Sequence, residues 1–171
     1  MNTDVMDDLN YSDTLLRHIL STVRTIALVG ASGDWKRPSF FAMKYLQRRG
    51  YRVIPVNPGR AGSKILGETV YASLADIPGE IDMVDVFRAS EAALGVAEEA
   101  VALKEQKDIK VLWLQLGIRN DAAAELAEAA GIQVIMDRCP KIEFARLSGE
   151  LSWSGINSKI ISAKSLRQPR A

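Results

Sequence analysis

Residues 25–39 read Thr25-Ile-Ala-Leu-Val-Gly30-Ala-Ser-Gly-Asp-Trp-Lys-Arg-Pro-Ser39, and their order sets the fold. A short apolar run that stops at a glycine, with no polar alternation, is the pattern of a strand covered on both faces. Eight residues later Pro38 suits the first position of a helix, because its missing N–H is not needed there. Phe41, Met43, Tyr45 and Leu46 follow at roughly helical spacing, and Gly50 closes the segment. Tyr51-Arg-Val-Ile-Pro-Val56 then supplies a second strand. Strand, glycine turn, helix and strand make a parallel pair joined by a right-handed crossover.

The same alternation continues to the C-terminal side. Asp82–Phe87, Lys110–Gln115 and Ile132–Met136 have the composition of buried strands. Between them Ala92–Gln106 and Ala122–Ala130 have the composition of helices, the second closed by Gly131, and Pro140 opens a last helix. Gly59, Gly62 and Gly67 punctuate a long connection that holds a short extended piece around Thr69–Tyr71. On the N-terminal side Ser12 can cap a helix whose Leu15, Leu16, Ile19, Leu20 and Val23 form one stripe. The fold class is α/β: a single domain built on a mostly parallel sheet with helices on both faces. Its expected parts are an N-terminal helix over 1–24 that packs on the domain edge, the sheet domain over 25–150, and a tail over 151–171. Lys164, Arg167 and Arg170 make that tail a solvated terminus.

Composition narrows the function classes. A chain of 171 residues with 47% hydrophobic and 25% charged residues is globular, not disordered or collagen-like. A net charge of +1 gives no global field for nucleic acid. Cys139 is the single cysteine and His18 the single histidine, which excludes an internal disulfide framework and cysteine- or histidine-rich metal sites. The first ten residues lack the layout of a signal peptide, and no apolar run approaches the roughly 20 residues of a membrane span. The expected setting is cytoplasmic, with no membrane partner.

In a sheet of this kind ligands bind beyond the carboxyl ends of the strands. The residues after the first strand include Gly30 for a tight turn, the Ser32 hydroxyl, and the cations Lys36 and Arg37 before a helix N-terminus. Free helix N–H groups, the helix dipole and positive charge together suit phosphate. The full dinucleotide fingerprint is absent, since its third glycine is missing. The second strand ends Val56-Asn57-Pro58-Gly59-Arg60, with Lys64 nearby. A carboxylate for an unmodified ribose is missing there, and cations stand in its place, which favours a phosphorylated ribose. NADP and coenzyme A both carry one, and charge alone does not separate them. After the third strand, Phe87 could wall the ligand or simply pack in the core, and Arg88 could reach a phosphate. After the fourth, Gln115, Leu116 and Gly117 offer an amide and a close backbone approach. Cys139, between Arg138 and Lys141 at a helix start, is either a low-pKa thiol or a buried inert one.

Several runs carry a resemblance. Val29–Ser32, Arg37–Ser39, Gly50–Pro58, Asp82–Arg88, Trp113–Gly117 and Met136–Lys141 together resemble the small stand-alone CoA-binding domain family over about residues 20–150. That family is similar to the N-terminal CoA-binding domain of the succinyl-CoA synthetase alpha subunit. The resemblance implies a Rossmann-like fold that binds coenzyme A or an acyl-CoA. It places Gly30, Ala31, Ser32, Lys36, Arg37 and Ser39 in the phosphate loop, and Val56, Asn57 and Pro58 at the nucleotide. Arg60 falls where the synthetase domain has a basic residue for the ribose phosphate, with Lys64 beside it. Val86, Phe87, Arg88, Gln115, Leu116 and Gly117 line the remainder. The synthetase's second domain and its phosphorylated histidine have no counterpart, so the ligase reaction is not implied, and no catalytic or metal-binding residue is assigned. Three other readings stand beside this one: an NADP-dependent reductase, a redox module in which Cys139 pairs with the CoA thiol, and a domain that supplies bound CoA to a protein partner. A homodimer or a partner contact through the N-terminal helix or through Trp113 and Trp153 is left open.

Overall fold

The computed structural model describes residues 9–149. Five strands form one parallel sheet: β1 (Thr25–Val29), β2 (Arg52–Val56), β5 (Met83–Val86), β6 (Val111–Leu114) and β7 (Gln133–Ile135), in spatial order β2-β1-β5-β6-β7. The helices are α1 (Asp13–Thr22), α2 (Pro38–Arg48), α3 (Ser90–Lys107), α4 (Asp121–Ala129) and α5 (Pro140–Leu147). Every central strand is buried almost end to end, because helices cover both sides. One face carries Ala27, Val29, Val84, Val86, Leu112 and Leu114 against α3 and α4. The other carries Ile26, Leu28, Met83, Val111, Trp113 and Ile135 against α1, α2 and α5. This is the single-domain Rossmann-like α/β arrangement that the sequence implies.

Local chemistry accounts for the element ends. The Ser12 hydroxyl accepts the Leu15 N–H at 3.1 Å and starts α1, whose Leu16, Ile19 and Leu20 are buried. Asn120 caps α4 by accepting the Ala123 N–H at 2.9 Å. α3 presents Ala93, Ala97 and Ala100, all wholly buried, so its axis lies close to the sheet. Asp82 ties the N-terminal edge of β5 to β1, accepting from the N–H groups of Arg24 and Thr25 at 2.8 and 2.9 Å.

One sequence expectation is refined, and one reading left open is decided. The extended piece near Thr69 is half of an antiparallel hairpin, β3 (Lys64–Ile65) with β4 (Glu68–Thr69), and Tyr71 bridges in parallel to Val56. Trp113 is wholly buried, and its indole N–H donates to the Arg138 carbonyl at 2.8 Å, so it is a core residue and presents no interface. The tail over 151–171 and Trp153 lie outside the described residues. None of the described helices is long and apolar enough to cross a membrane.

Candidate functional site

The chain runs from β1 outward to β2 and then returns to the other side of β1 as β5. The crevice at that reversal lies between the carboxyl ends of β1 and β5, where such sheets bind ligands. Gly30 and Phe87 meet there. A Cβ on Gly30 would lie 2.3 Å from the Phe87 carbonyl oxygen, and Gly30 has φ +90°. Only glycine allows the two strand ends to approach this closely.

A cavity of about 630 Å³ opens above this point and crosses four strand ends. Gly30, Ala31 and Ser32 line it after β1, and Arg37 and Ser39 from the first turn of α2. Asn57 lines it after β2, Phe87 and Arg88 after β5, and Gln115 and Leu116 after β6. A smaller cavity of about 340 Å³ shares Gly30, Asn57 and Arg88 and adds Val56 and Pro58. Two arginines and no carboxylate line the two cavities, so their field is positive. Pro38, Ala89 and Ile118 complete the larger wall and were not anticipated.

The loop after β1 is held by its neighbour strand. The Val56 carbonyl accepts from the N–H groups of both Gly30 and Ala31, at 3.1 and 3.2 Å. The Asn57 amide donates to the Ala31 carbonyl at 2.8 Å and accepts from the Gly59 N–H at 2.9 Å. The N–H groups of Gly30 and Ala31 are thus committed to the protein. Anion binding falls instead to Ser32, Arg37, Arg88 and the start of α2. That helix has no acidic residue in its first turn, and its N-cap Arg37 makes no side-chain capping bond, which leaves positive dipole facing the cavity.

Five residues expected at the site do not line either cavity. Lys36 is exposed, with its ammonium 5.5 Å from the Trp35 ring centroid. Arg60 leans over the loop, its Nη1 3.2 Å from where a Cβ on Gly33 would stand. Lys64 is exposed on the β3–β4 hairpin, one element further out than its spacing suggested. Val86 is wholly buried in the layer under α3 and α4, because alternate strand residues point to opposite faces. Gly117 donates its N–H to Asp137 Oδ1 at 2.6 Å, so it anchors the β6–α4 loop to the start of α5.

Cys139 is the N-cap of α5 and is buried. Of the two readings of this thiol the buried one holds, and burial pushes its pKa up. Hydrogen bonds from Gln115 and the first turn of α5 offset this only in part. Sequence reasoning passed over Asp85. Its carboxyl is wholly buried in mid-strand, neither oxygen has a hydrogen-bond partner, and burial holds its pKa well above the usual carboxylate range. An aspartate inside the apolar run Met83-Val-Asp-Val86 was the available signal.

Known proteins resemble this chain over the same region. A family model described as "CoA binding domain" matches residues 24–145. Protein YneT of Bacillus subtilis (strain 168) is 40% identical over 136 residues, which cover 80% of this chain and 96% of YneT. A solved Thermus thermophilus structure is 40% identical, superposes with a TM-score of 0.75, and is matched over 80% of this chain and 99% of its own. The ADP-forming acetate–CoA ligase II of Archaeoglobus fulgidus is 33% identical over 89 residues, which are 51% of this chain and 12% of the ligase.

Proposed function

The chain belongs to the CoA-binding domain family, and from that premise we infer that it binds coenzyme A or an acyl-CoA along the carboxyl ends of β2, β1, β5 and β6. One observation carries this reading: a single positive cavity runs from Asn57 to Leu116 without meeting a carboxylate. Three strand spacings of about 4.8 Å make that run roughly 14 Å. This length suits a nucleotide with an extended arm better than a nucleotide alone. Ser32, Arg37 and Ser39 are suited to the pyrophosphate, where α2 begins. Asn57 takes the position at which proteins that bind an unmodified ribose carry an acid. Arg60, which follows Asn57 by three residues and leans over Gly33, is suited to a ribose phosphate at that end. Phe87 offers a wall for the arm, which leads to Gln115 and Leu116. We assign binding alone, with no catalytic step.

The test is calorimetric titration with CoA, 3′-dephospho-CoA and NADP. CoA is expected to bind tightest, and removal of its 3′-phosphate to weaken it. Arg60→Ser should weaken CoA by about three- to tenfold and leave 3′-dephospho-CoA unchanged, as expected for one charge-assisted contact. Binding of NADP in preference to CoA would replace this reading with the reductase. Equal loss for CoA and 3′-dephospho-CoA in the Arg60 variant would move the ribose phosphate elsewhere.

A further inference from the structure

Behind the β6 end of the cavity lies a buried polar group that nucleotide binding does not use. In the sheet register Asp85 stands opposite Trp113. Alternation along β5 puts its side chain on the face of Phe87, one rung deeper, and alternation along β6 puts Gln115 on the face of Trp113, one rung higher. Gln115 is the wall between them: it lines the cavity, and its side chain also hydrogen-bonds to the Cys139 thiol. Its amide oxygen Oε1 is buried without a partner, as are both oxygens of Asp85. Asp85 lies near enough to Cys139 that the titrations of the two groups bear on each other. Three polar side chains from β5, β6 and the start of α5 therefore converge, and two of them lack a donor.

Buried acceptors without donors are rare, and where they persist beside a binding cavity they fit a ligand that brings a donor. We propose that Gln115, with the buried Asp85 behind it, forms the thiol-end subsite of the CoA cavity, and that it selects the free thiol over thioesters. The inference rests on the CoA reading above. A free thiol carries an S–H that the Gln115 oxygen can accept; a thioester carries none. The Asp85 carboxyl stands one rung deeper on the same face, where burial favours its protonated form. Cys139 serves to hold the Gln115 amide in place, and no covalent step is involved.

The experiment compares CoA, acetyl-CoA and 3′,5′-ADP as titrants of the full chain and of Gln115→Leu and Asp85→Asn. The unmodified protein is expected to hold CoA about tenfold more tightly than acetyl-CoA, the ratio that one unmet buried acceptor implies. Gln115→Leu should bring that ratio to within about twofold, and Asp85→Asn should reduce it in part. The nucleotide fragment lacks the arm, so its binding reports whether each variant is folded and its nucleotide end intact. Equal or tighter binding of acetyl-CoA by the unmodified protein, or a ratio unmoved in Gln115→Leu, overturns the thiol subsite and leaves the CoA reading standing. Failure of all three titrants to bind the unmodified protein overturns the CoA reading itself.

Discussion

At Gly30 a single hydrogen atom separates a working crevice from a steric clash. Alanine there would set a Cβ 2.3 Å from the Phe87 carbonyl while holding a left-handed φ of +90°. The oxygen is backbone, so relief requires β1 and β5 to separate. Gly30→Ala should therefore lose more than about 2 kcal/mol of stability. Gly117→Ala is the control: its φ of +81° is also left-handed, but nothing lies within 4 Å of the new Cβ, so about 1 kcal/mol is expected. Urea midpoints of the two variants decide this; equal losses would show that backbone conformation, and not the close approach, is what matters at Gly30. Asp85 gives a second test at this scale. Burial raises its folded pKa above the unfolded value, so the folded state binds the extra proton. Stability then falls as pH rises from the unfolded pKa near 4 toward the folded one, by up to about 1.4 kcal/mol per pH unit, and levels off above it. Asp82 and Asp13 have lowered pKa values; their contributions are lost only as pH falls below about 4 and lie outside this window. Unfolding followed from pH 5 to pH 8 should show the decline in the unmodified chain and its absence in Asp85→Asn. The same slope in both would mean that the carboxyl is not the titrating group.

Among the elements, α3 shows how composition sets distance. Ala93, Ala97 and Ala100 are wholly buried, whereas Gly95 points to open space on the outer side. Ala97→Leu should cost about 1–3 kcal/mol, because extra methyl groups at a closely packed helix–sheet contact force the helix outward. Gly95→Ala should instead gain about 0.5–1 kcal/mol by reducing the freedom of the unfolded chain. Thermal unfolding of the pair is expected to shift in opposite directions, and a stabilised Ala97→Leu would show that α3 has slack against the sheet. The elements that were legible in the sequence are those with an unbroken apolar run or a capped amphipathic stripe, such as β1 and α1. The β3–β4 hairpin was not, for two reasons. Its strands have two residues each, too few to show a period. Its turn residues Leu66 and Gly67 both have positive φ, +49° and +84°, a conformation that a two-residue hairpin usually advertises with Asn-Gly; leucine in the first place concealed it. Lys64 was misplaced as a consequence. At the site, the residues immediately after each strand were readable from position alone. Gly117 and Asp85 were not, since a backbone N–H committed to Asp137 and a carboxyl facing a buried layer depend on contacts distant in sequence.

For the molecule as a whole, the cavity joins the parts of the sheet that the chain connects last. Asn57, Gly30, Phe87 and Gln115 come from four strands, and β1 and β5, whose ends meet at the reversal point, are separated by more than fifty residues of sequence. A ligand that contacts all four strand ends binds the folded sheet and not the open chain. Its binding energy is therefore added to global stability. At a CoA concentration one hundred times the dissociation constant the gain is about 2.7 kcal/mol, or roughly 5–10 °C in Tm for a domain of this size. 3′-Dephospho-CoA at the same concentration should raise Tm by less, because the contact with its missing phosphate is lost. On the proposed binding mode the phosphates meet the water-exposed charge of Arg37, Arg88 and Arg60, so higher salt should narrow the CoA effect. Differential scanning measurements across ligand and salt concentration test these three statements together. A CoA shift that persists unchanged at high salt would assign the affinity to the apolar arm, between Phe87 and Leu116, and not to the phosphates. A Tm that does not move with CoA at any concentration would leave the strand-end cavity without its ligand.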